Sequence, residues 1–263
     1  MIKFLDLIKQ DKKLHKPILK KINKLFQKGD FIMGKEVEIF EKNFSKFCKS
    51  KYAISCANGT DALTLALKSL NLPKNSEVLI PAMTYCSTAF SVIEANLKPI
   101  LVDTEKLSST ISILDLKKKI TKKTKVILPV HLYGSAAKLK DIKRLIKNKK
   151  IYLIDDCAQA HGAYEGTDNY KRKIGSATDI SCFSLYPGKN LGAYGDAGII
   201  TTNNLNFYNK LRKLRNLGSE KKFIHDEVGL NSRLDTIQAI ILNEKLKNLS
   251  FHNKKRQKIA KFY

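Results

Sequence analysis

Tyr52-Ala-Ile-Ser-Cys-Ala-Asn-Gly-Thr-Asp-Ala-Leu-Thr-Leu-Ala-Leu-Lys-Ser-Leu70 contains, in succession, a β-rich run, a polar turn and an apolar helical stretch. Residues 52–56 read as a strand, and the turn at 57–61 opens a helix over 59–70. The unit then recurs: residues 77–80, 99–103, 125–130 and 151–155 are short β-rich runs, each followed by a helical stretch. Strands alternating with helices specify an α/β domain, a three-layer arrangement with a mostly parallel central sheet flanked by helices. Upstream, Leu14, Ile18, Ile22 and Leu25-Phe26 predict a helix over 11–28 that ends near Gly29-Asp30. A second helix is expected over 35–49, with Val37, Phe40, Phe44 and Phe47 on one face. Downstream, 180–185 and 197–201 read as strands, 205–216 as a helix and 221–231 as a polar loop. From Arg233 onward the period is helical, with no Gly or Pro to stop it before Tyr263.

Composition narrows the function. The chain has 263 residues, 43% of them hydrophobic, enough for a sizeable core. No apolar stretch has the length of a membrane span, and charges interrupt the N-terminal run too soon for a secretory signal, so the expected location is the cytoplasm with no membrane partner. Five scattered cysteines without metal-ligand spacing read as reduced thiols. The formal charge is +25, carried by 43 Lys and 6 Arg. These cations lie in short clusters spread over helices and loops, which reads as a solvated surface with no nucleic-acid partner. Such a field would still favour an anionic small substrate.

Four stretches carry possible chemistry. Gly59 and Thr60 open a helix, where unpaired N–H groups and the positive helix end form either a phosphate cradle or an ordinary cap. Ile151-Tyr-Leu-Ile-Asp-Asp-Cys-Ala-Gln-Ala-His-Gly162 ends an apolar strand in two carboxylates. Strand alternation sends Asp155 and Asp156 to opposite sides, so one of them can face a ligand, as metal ligand, helix cap or partner of a cationic heterocycle. No further acidic or His pair supplies metal spacing, and no metal is expected. His161, taken alone, reads as a satisfied structural histidine. Ile80-Pro-Ala-Met-Thr-Tyr-Cys-Ser-Thr88 presents Tyr85 at a helix start, either to stack on a planar ligand or to join the core. In Gly229-Leu-Asn-Ser-Arg233, Asn231 or Ser232 reads as a helix cap.

Between the last two strands lies Tyr186-Pro-Gly-Lys-Asn-Leu-Gly192, where one lysine, Lys189, is held among turn-formers. A lysine, an acid, an aromatic platform and a phosphate cradle, in this order along α/β units, are what pyridoxal 5'-phosphate requires: an amine for its aldehyde, an acid for its ring nitrogen and N–H donors for its phosphate.

The chain resembles the DegT/DnrJ/EryC1/StrS sugar aminotransferases, a branch of the fold-type I pyridoxal-phosphate enzymes. The matching motifs run through 33–37 with Phe40-Glu41, 55–65, 81–95, 130–134, 155–163, 183–198 and 229–242. The resemblance implies that Lys189 is the catalytic lysine that joins the cofactor and that Asp156 partners the pyridine nitrogen. It sets Gln159 near the ring hydroxyl, Tyr85 against the ring, and Gly59, Thr60 and Ser184 at the phosphate. Asn231 is implied to reach the phosphate of a neighbouring subunit, hence a homodimer with shared active sites. The implied reaction moves an amino group from glutamate to a nucleotide-linked keto sugar, for amino-sugar and surface-polysaccharide synthesis, with a weak lean towards the sugar 3-position. Relatives with His in place of the lysine are dehydratases, so Lys189 favours aminotransfer. By the same resemblance, residues 1–232 form the cofactor-binding large domain and 233–263 a helix leading towards a C-terminal domain that this chain lacks. The alternative is a truncated, non-catalytic cofactor-binding or regulatory homologue.

Overall fold

The computed structural model describes residues 6–166, 171–221 and 223–263. Residues 1–5 of the N-terminal run and residue 222 of the polar loop lie outside them.

Seven strands form the main sheet. They are β1 (Tyr52–Cys56), β2 (Glu77–Pro81), β3 (Lys98–Val102), β4 (Thr124–Ile127), β5 (Tyr152–Asp156), β6 (Ile180–Ser184) and β7 (Gly198–Thr202). Their spatial order is β1-β7-β6-β5-β4-β2-β3. All neighbours pair in parallel except β7, which runs antiparallel to both β1 and β6. Strand alternation divides the core into two layers. Ala53, Leu79, Ile127, Leu153, Phe183 and Ile199 face one side; Ile54, Ile80, Val126, Ile154, Cys182 and Ile200 face the other. The first layer is covered by α3 (Lys35–Cys48), α6 (Ile113–Lys119), α7 (Leu139–Ile146) and α9 (Thr236–Leu246). The second is covered by α4 (Gly59–Ser69), α5 (Cys86–Glu94) and α8 (Leu205–Leu214). The expected three-layer architecture is therefore present, with strand burial supplying the main hydrophobic contribution.

Several boundaries differ from the sequence reading, each for a local reason. The helix expected over 11–28 is divided into α1 (Leu7–Asp11), a 3-10 turn (Lys12–Leu14) and α2 (His15–Lys28). Pro17 has no N–H to give to a preceding turn, so the helix restarts where Pro17 falls in its first turn. The strand expected over 125–130 ends at Ile127, because Pro129 cannot donate to a ladder; its carbonyl instead accepts from the Asp156 N–H at 2.9 Å. The polar loop contains a short antiparallel pair, Ser219–Lys221 with Ile224–His225. The helix expected from Arg233 begins at Thr236, since Asp235 is extended and bridges Ile32, and it breaks at Asn248 before α10 (Leu249–Ala260).

Helix α9 packs between α2 and α3, and Leu234, Ala239, Leu242 and Leu249 belong to the same core layer as Phe40 and Phe44. A division at residue 232 thus runs through one continuous core.

Candidate active site

Parallel strands carry their C-terminal ends to one edge of the sheet, and the loops that follow β1, β2, β4, β5 and β6 meet there around a cavity of about 770 Å³. Lys189 enters it from the turn after β6. That turn is closed by the Lys189 N–H donating to the Tyr186 carbonyl at 2.9 Å. Gly192 is needed at its far side, where a Cβ would lie 2.3 Å from the Pro187 carbonyl oxygen. Gln238 of α9 grips the same loop: its Oε1 accepts from the Tyr194 N–H at 2.9 Å and its Nε2 donates to the Tyr194 carbonyl at 3.3 Å. The Lys189 amine is half-buried, and burial lowers its pKa against the opposing pull of the Asp156 charge.

Asp156, at the end of β5, faces the cavity as a buried carboxylate. Thr88 of α5 donates to its Oδ2 at 2.9 Å, and the Ala158 N–H donates to its Oδ1 at 3.0 Å. Burial raises its pKa; those two hydrogen bonds and the charge of Lys189 oppose the rise. A cation brought against the carboxylate would favour its ionised form. Asp155 points to the other side of the sheet, as alternation requires. There His131 Nδ1 accepts from the Ala137 N–H at 3.0 Å, which leaves Nε2–H to donate to Asp155 at 2.9 Å. Thr178 adds a 2.6 Å hydrogen bond. Burial works to raise the Asp155 pKa, but the hydrogen bonds from His131, Ser181 and Thr178 outweigh it, and the carboxyl is held below its ordinary range.

The cradle lies across from Lys189, where α4 starts against the end of β6. Asn58 caps that helix through the Asp61 N–H at 2.8 Å, while the N–H groups of Gly59 and Thr60 have no partner among the described residues. The approach is too close for a side chain: a Cβ on Gly59 would lie 2.6 Å from Ser184 Cβ and 3.0 Å from Ser184 Cα. Thr60 Oγ1 donates to Ser87 Oγ at 2.8 Å, and Ser232 fastens the turn by donating to Asp61 at 2.6 Å. Free N–H groups, hydroxyls and a positive helix end suit a phosphate, and a buried acid within the same cavity suits a protonated ring nitrogen, so the residues fit pyridoxal phosphate.

Gln159 lines the cavity and is anchored by accepting from the Tyr133 N–H at 2.7 Å. Tyr85 caps α5 and is 72% exposed at the cavity wall, which removes the core alternative. Gly59, Thr60, Tyr85, Asp156, Gln159, Ser184 and Lys189 thus share one cavity. Asn231 does not: it is exposed, outside the cavity lining, and bridges Asn216. The capping reading of Asn231 and Ser232 also fails, since Asp235 stands at the start of α9 and Ser232 binds Ala57 and Asp61.

Sequence reading missed Thr88 and Ser87. Thr88 was within a quoted stretch, one helical turn from Thr84, and a polar residue on the buried side of α5 was the available signal. His161 departs from expectation. It is 2% exposed, and neither ring nitrogen meets full hydrogen-bond geometry among the described residues; burial lowers its pKa, and a polar contact with the Ser184 backbone opposes that shift. His131, Asp155 and Cys157 bring potential metal-ligating atoms within 4.8 Å of one another, but the described contacts already engage all three side chains within the chain.

The family model described as the DegT/DnrJ/EryC1/StrS aminotransferase family matches residues 12–263. The dTDP-3-amino-3,6-dideoxy-alpha-D-galactopyranose transaminase of Aneurinibacillus thermoaerophilus is 41% identical, over 100% of this chain and 71% of the relative. A DegT DnrJ EryC1 StrS aminotransferase from Brucella abortus superimposes with a TM-score of 0.94 at 32% identity, over 100% of this chain and 72% of that structure. NtdA from Bacillus subtilis, solved with bound cofactor PMP, superimposes with a TM-score of 0.86 at 32% identity, over 95% of this chain and 57% of that one.

Proposed function

The chain belongs to the DegT/DnrJ/EryC1/StrS aminotransferase family, and from that premise we propose that it is a pyridoxal-phosphate-dependent aminotransferase that passes an amino group from glutamate to a keto carbon of a nucleotide-linked deoxysugar. The observation that carries this reading is the shared cavity of Lys189, Asp156 and the Gly59–Ser184 crossing. A relative named as a dTDP-sugar transaminase and a neighbour solved with PMP support the substrate class and the cofactor.

Pyridoxal phosphate, when bound, supplies an aldehyde and a ring able to store electrons. The chain supplies the rest. The Gly59 and Thr60 N–H groups and the hydroxyls of Thr60 and Ser184 bind the phosphate. Asp156, held in place by Thr88 and Ala158, keeps a proton on the ring nitrogen. Tyr85 covers a ring face and Gln159 meets the ring hydroxyl. Lys189 would hold the aldehyde covalently through its Nζ and, as a free amine, would move protons at the reacting carbon, a task helped by its lowered pKa. Asn231, exposed on one subunit, serves the site of a second copy in a homodimer.

The test is direct. Protein incubated with pyridoxal phosphate and then borohydride is expected to carry the reduced cofactor on the peptide containing Lys189, and Lys189→Ala to carry none. Absence of that label from the wild-type peptide would sink the reading. A label that forms while glutamate leaves the visible absorbance unchanged would instead support a non-catalytic cofactor-binding homologue.

A further inference from the structure

The loop that carries Lys189 is held by the two C-terminal helices at two points just after the lysine. One is the grip of Gln238 of α9 on the Tyr194 backbone. The other is Asn253, in the first half of α10, whose Oδ1 accepts from Asn190 Nδ2 at 3.1 Å. The same side chain makes a second bond. Its Nδ2 donates at 2.6 Å to the carbonyl of His161, in the segment that leaves β5 with Asp156 and Gln159. Among the described residues that carbonyl accepts from no backbone N–H, so the Asn253 amide is its fastening. The approach is close: Gly162 has φ +86°, and a Cβ there would lie 2.9 Å from Asn253 Nδ2. An asparagine suits this position because its amide offers a donor and an acceptor side by side. An aspartate would set an oxygen against the His161 carbonyl, and a leucine would satisfy neither partner. Helix α10 is itself seated by Leu249, buried in the core layer of Phe40 and Phe44. Both segments are thus referred to one fixed core.

We propose that Asn253 is a positioning residue that sets the spacing between the Lys189 loop and the segment carrying Asp156 and Gln159. It hydrogen-bonds neither Lys189 nor Asp156 and acts through Asn190 and the His161 carbonyl. The first bond limits how far the lysine swings away from the cavity, and the second limits outward movement of the strand-end segment. The Lys189 amine registers the difference. Asp61, Asp156 and Asp196 line the first cavity with it, while neutral His161 and Arg256 line the adjoining space. Burial is the largest influence on the amine and lowers its pKa, with the Asp156 charge opposing. A loosened loop admits water to the amine and removes part of that lowering, so its protonation midpoint moves up. The role of Lys189 as the cofactor lysine rests on the aminotransferase reading; the clamp rests on the hydrogen bonds alone.

Competitive acetylation of the cofactor-free protein over a range of pH, read by mass spectrometry of the peptide containing Lys189, tests it. Asn253→Leu is expected to move the Lys189 midpoint up by about half a pH unit or more. Asn253→Asp, which keeps only the acceptor, is expected to follow it, and Asn190→Ala, which removes one bond of the two, to move the midpoint less. Leu211→Ala opens a cavity in the core layer on the other side of the sheet, and is expected to lower stability without moving the midpoint. With pyridoxal phosphate added, absorbance titration is expected to show Asn253→Leu holding the cofactor about tenfold more weakly than wild type. Midpoints that coincide in wild type and the Asn253 and Asn190 variants, or an equal shift in Leu211→Ala, would overturn the inference. Asn190 is in a partly exposed loop, so its variant reports even where an Asn253 variant fails to fold. Failure of borohydride labelling at Lys189 would overturn the function, while the acetylation midpoints, measured without cofactor, still decide the clamp.

Discussion

Two neighbouring aspartates show how far a residue's neighbours decide its chemistry. Asp155 and Asp156 are adjacent and both buried, yet Asp155 is held low by His131 and Thr178 while Asp156 is pushed up and aimed at Lys189. His161 allows a quantitative expectation. Its folded pKa is about 3, against 6.5 for an unperturbed imidazole. Between these values the unfolded chain binds a proton that the folded chain refuses, so stability falls as pH falls through this window and is unaffected by this group above about pH 7. At about pH 5 the loss from this one side chain approaches ~2 kcal/mol. Urea unfolding at about pH 7.5 and pH 5 is expected to show His161→Phe losing less stability than wild type by that amount. Equal losses in the two proteins would refute it.

At the scale of elements, the decisive contact is the crossing of α4 over the end of β6. The groups met by a Gly59 Cβ are the Ser184 Cβ and backbone, which cannot rotate away. Gly59→Ala is therefore expected to lift the start of α4 and misdirect its free N–H groups. Because those groups would bind a charged phosphate, pyridoxal phosphate affinity is expected to fall about tenfold or more, measured by absorbance titration. An affinity within about twofold of wild type would show that the cradle is elsewhere. Elements were also where the sequence was most legible. The run at 52–56 matches β1 to the residue, and 99–103 and 151–155 miss β3 and β5 by one. The misses follow from pairing: Lys98 is in register with Glu77, and Asp156 with Cys182, although neither residue has an apolar side chain to advertise a strand.

For the whole molecule, the chain's early and late segments are joined by a buried ion pair. Lys245 of α9 donates to Asp11 at 2.8 Å, with both residues almost inaccessible. Lys245→Ala leaves the buried Asp11 carboxylate with the Tyr194 hydrogen bond but no counter-charge and is expected to cost about 3 kcal/mol by urea unfolding. Replacing both partners with apolar residues is expected to restore most of that. Assembly gives a second expectation. If one subunit supplies Lys189 and the other Asn231, then Lys189→Ala and Asn231→Ala proteins, each weak alone, recover activity when refolded together, to about a quarter of wild type from random pairing of a two-fold dimer. No recovery on mixing would place Asn231 outside the partner's site.

The alternation of strands and helices, the two-sided placement of Asp155 and Asp156, and the exceptional setting of Lys189 were determined by sequence alone, because period and turn chemistry are local properties of the chain. Tertiary structure decided the rest. It brought Thr88 to Asp156 and set Gly59 against Ser184, contacts 68 and 125 positions apart along the chain that no local pattern encodes. It drew α9 into the core, split the predicted C-terminal helix at Asn248 and buried His161 against Phe183. Each of these depends on what packs from a distant segment, and that is settled only when the sheet brings its strand ends together.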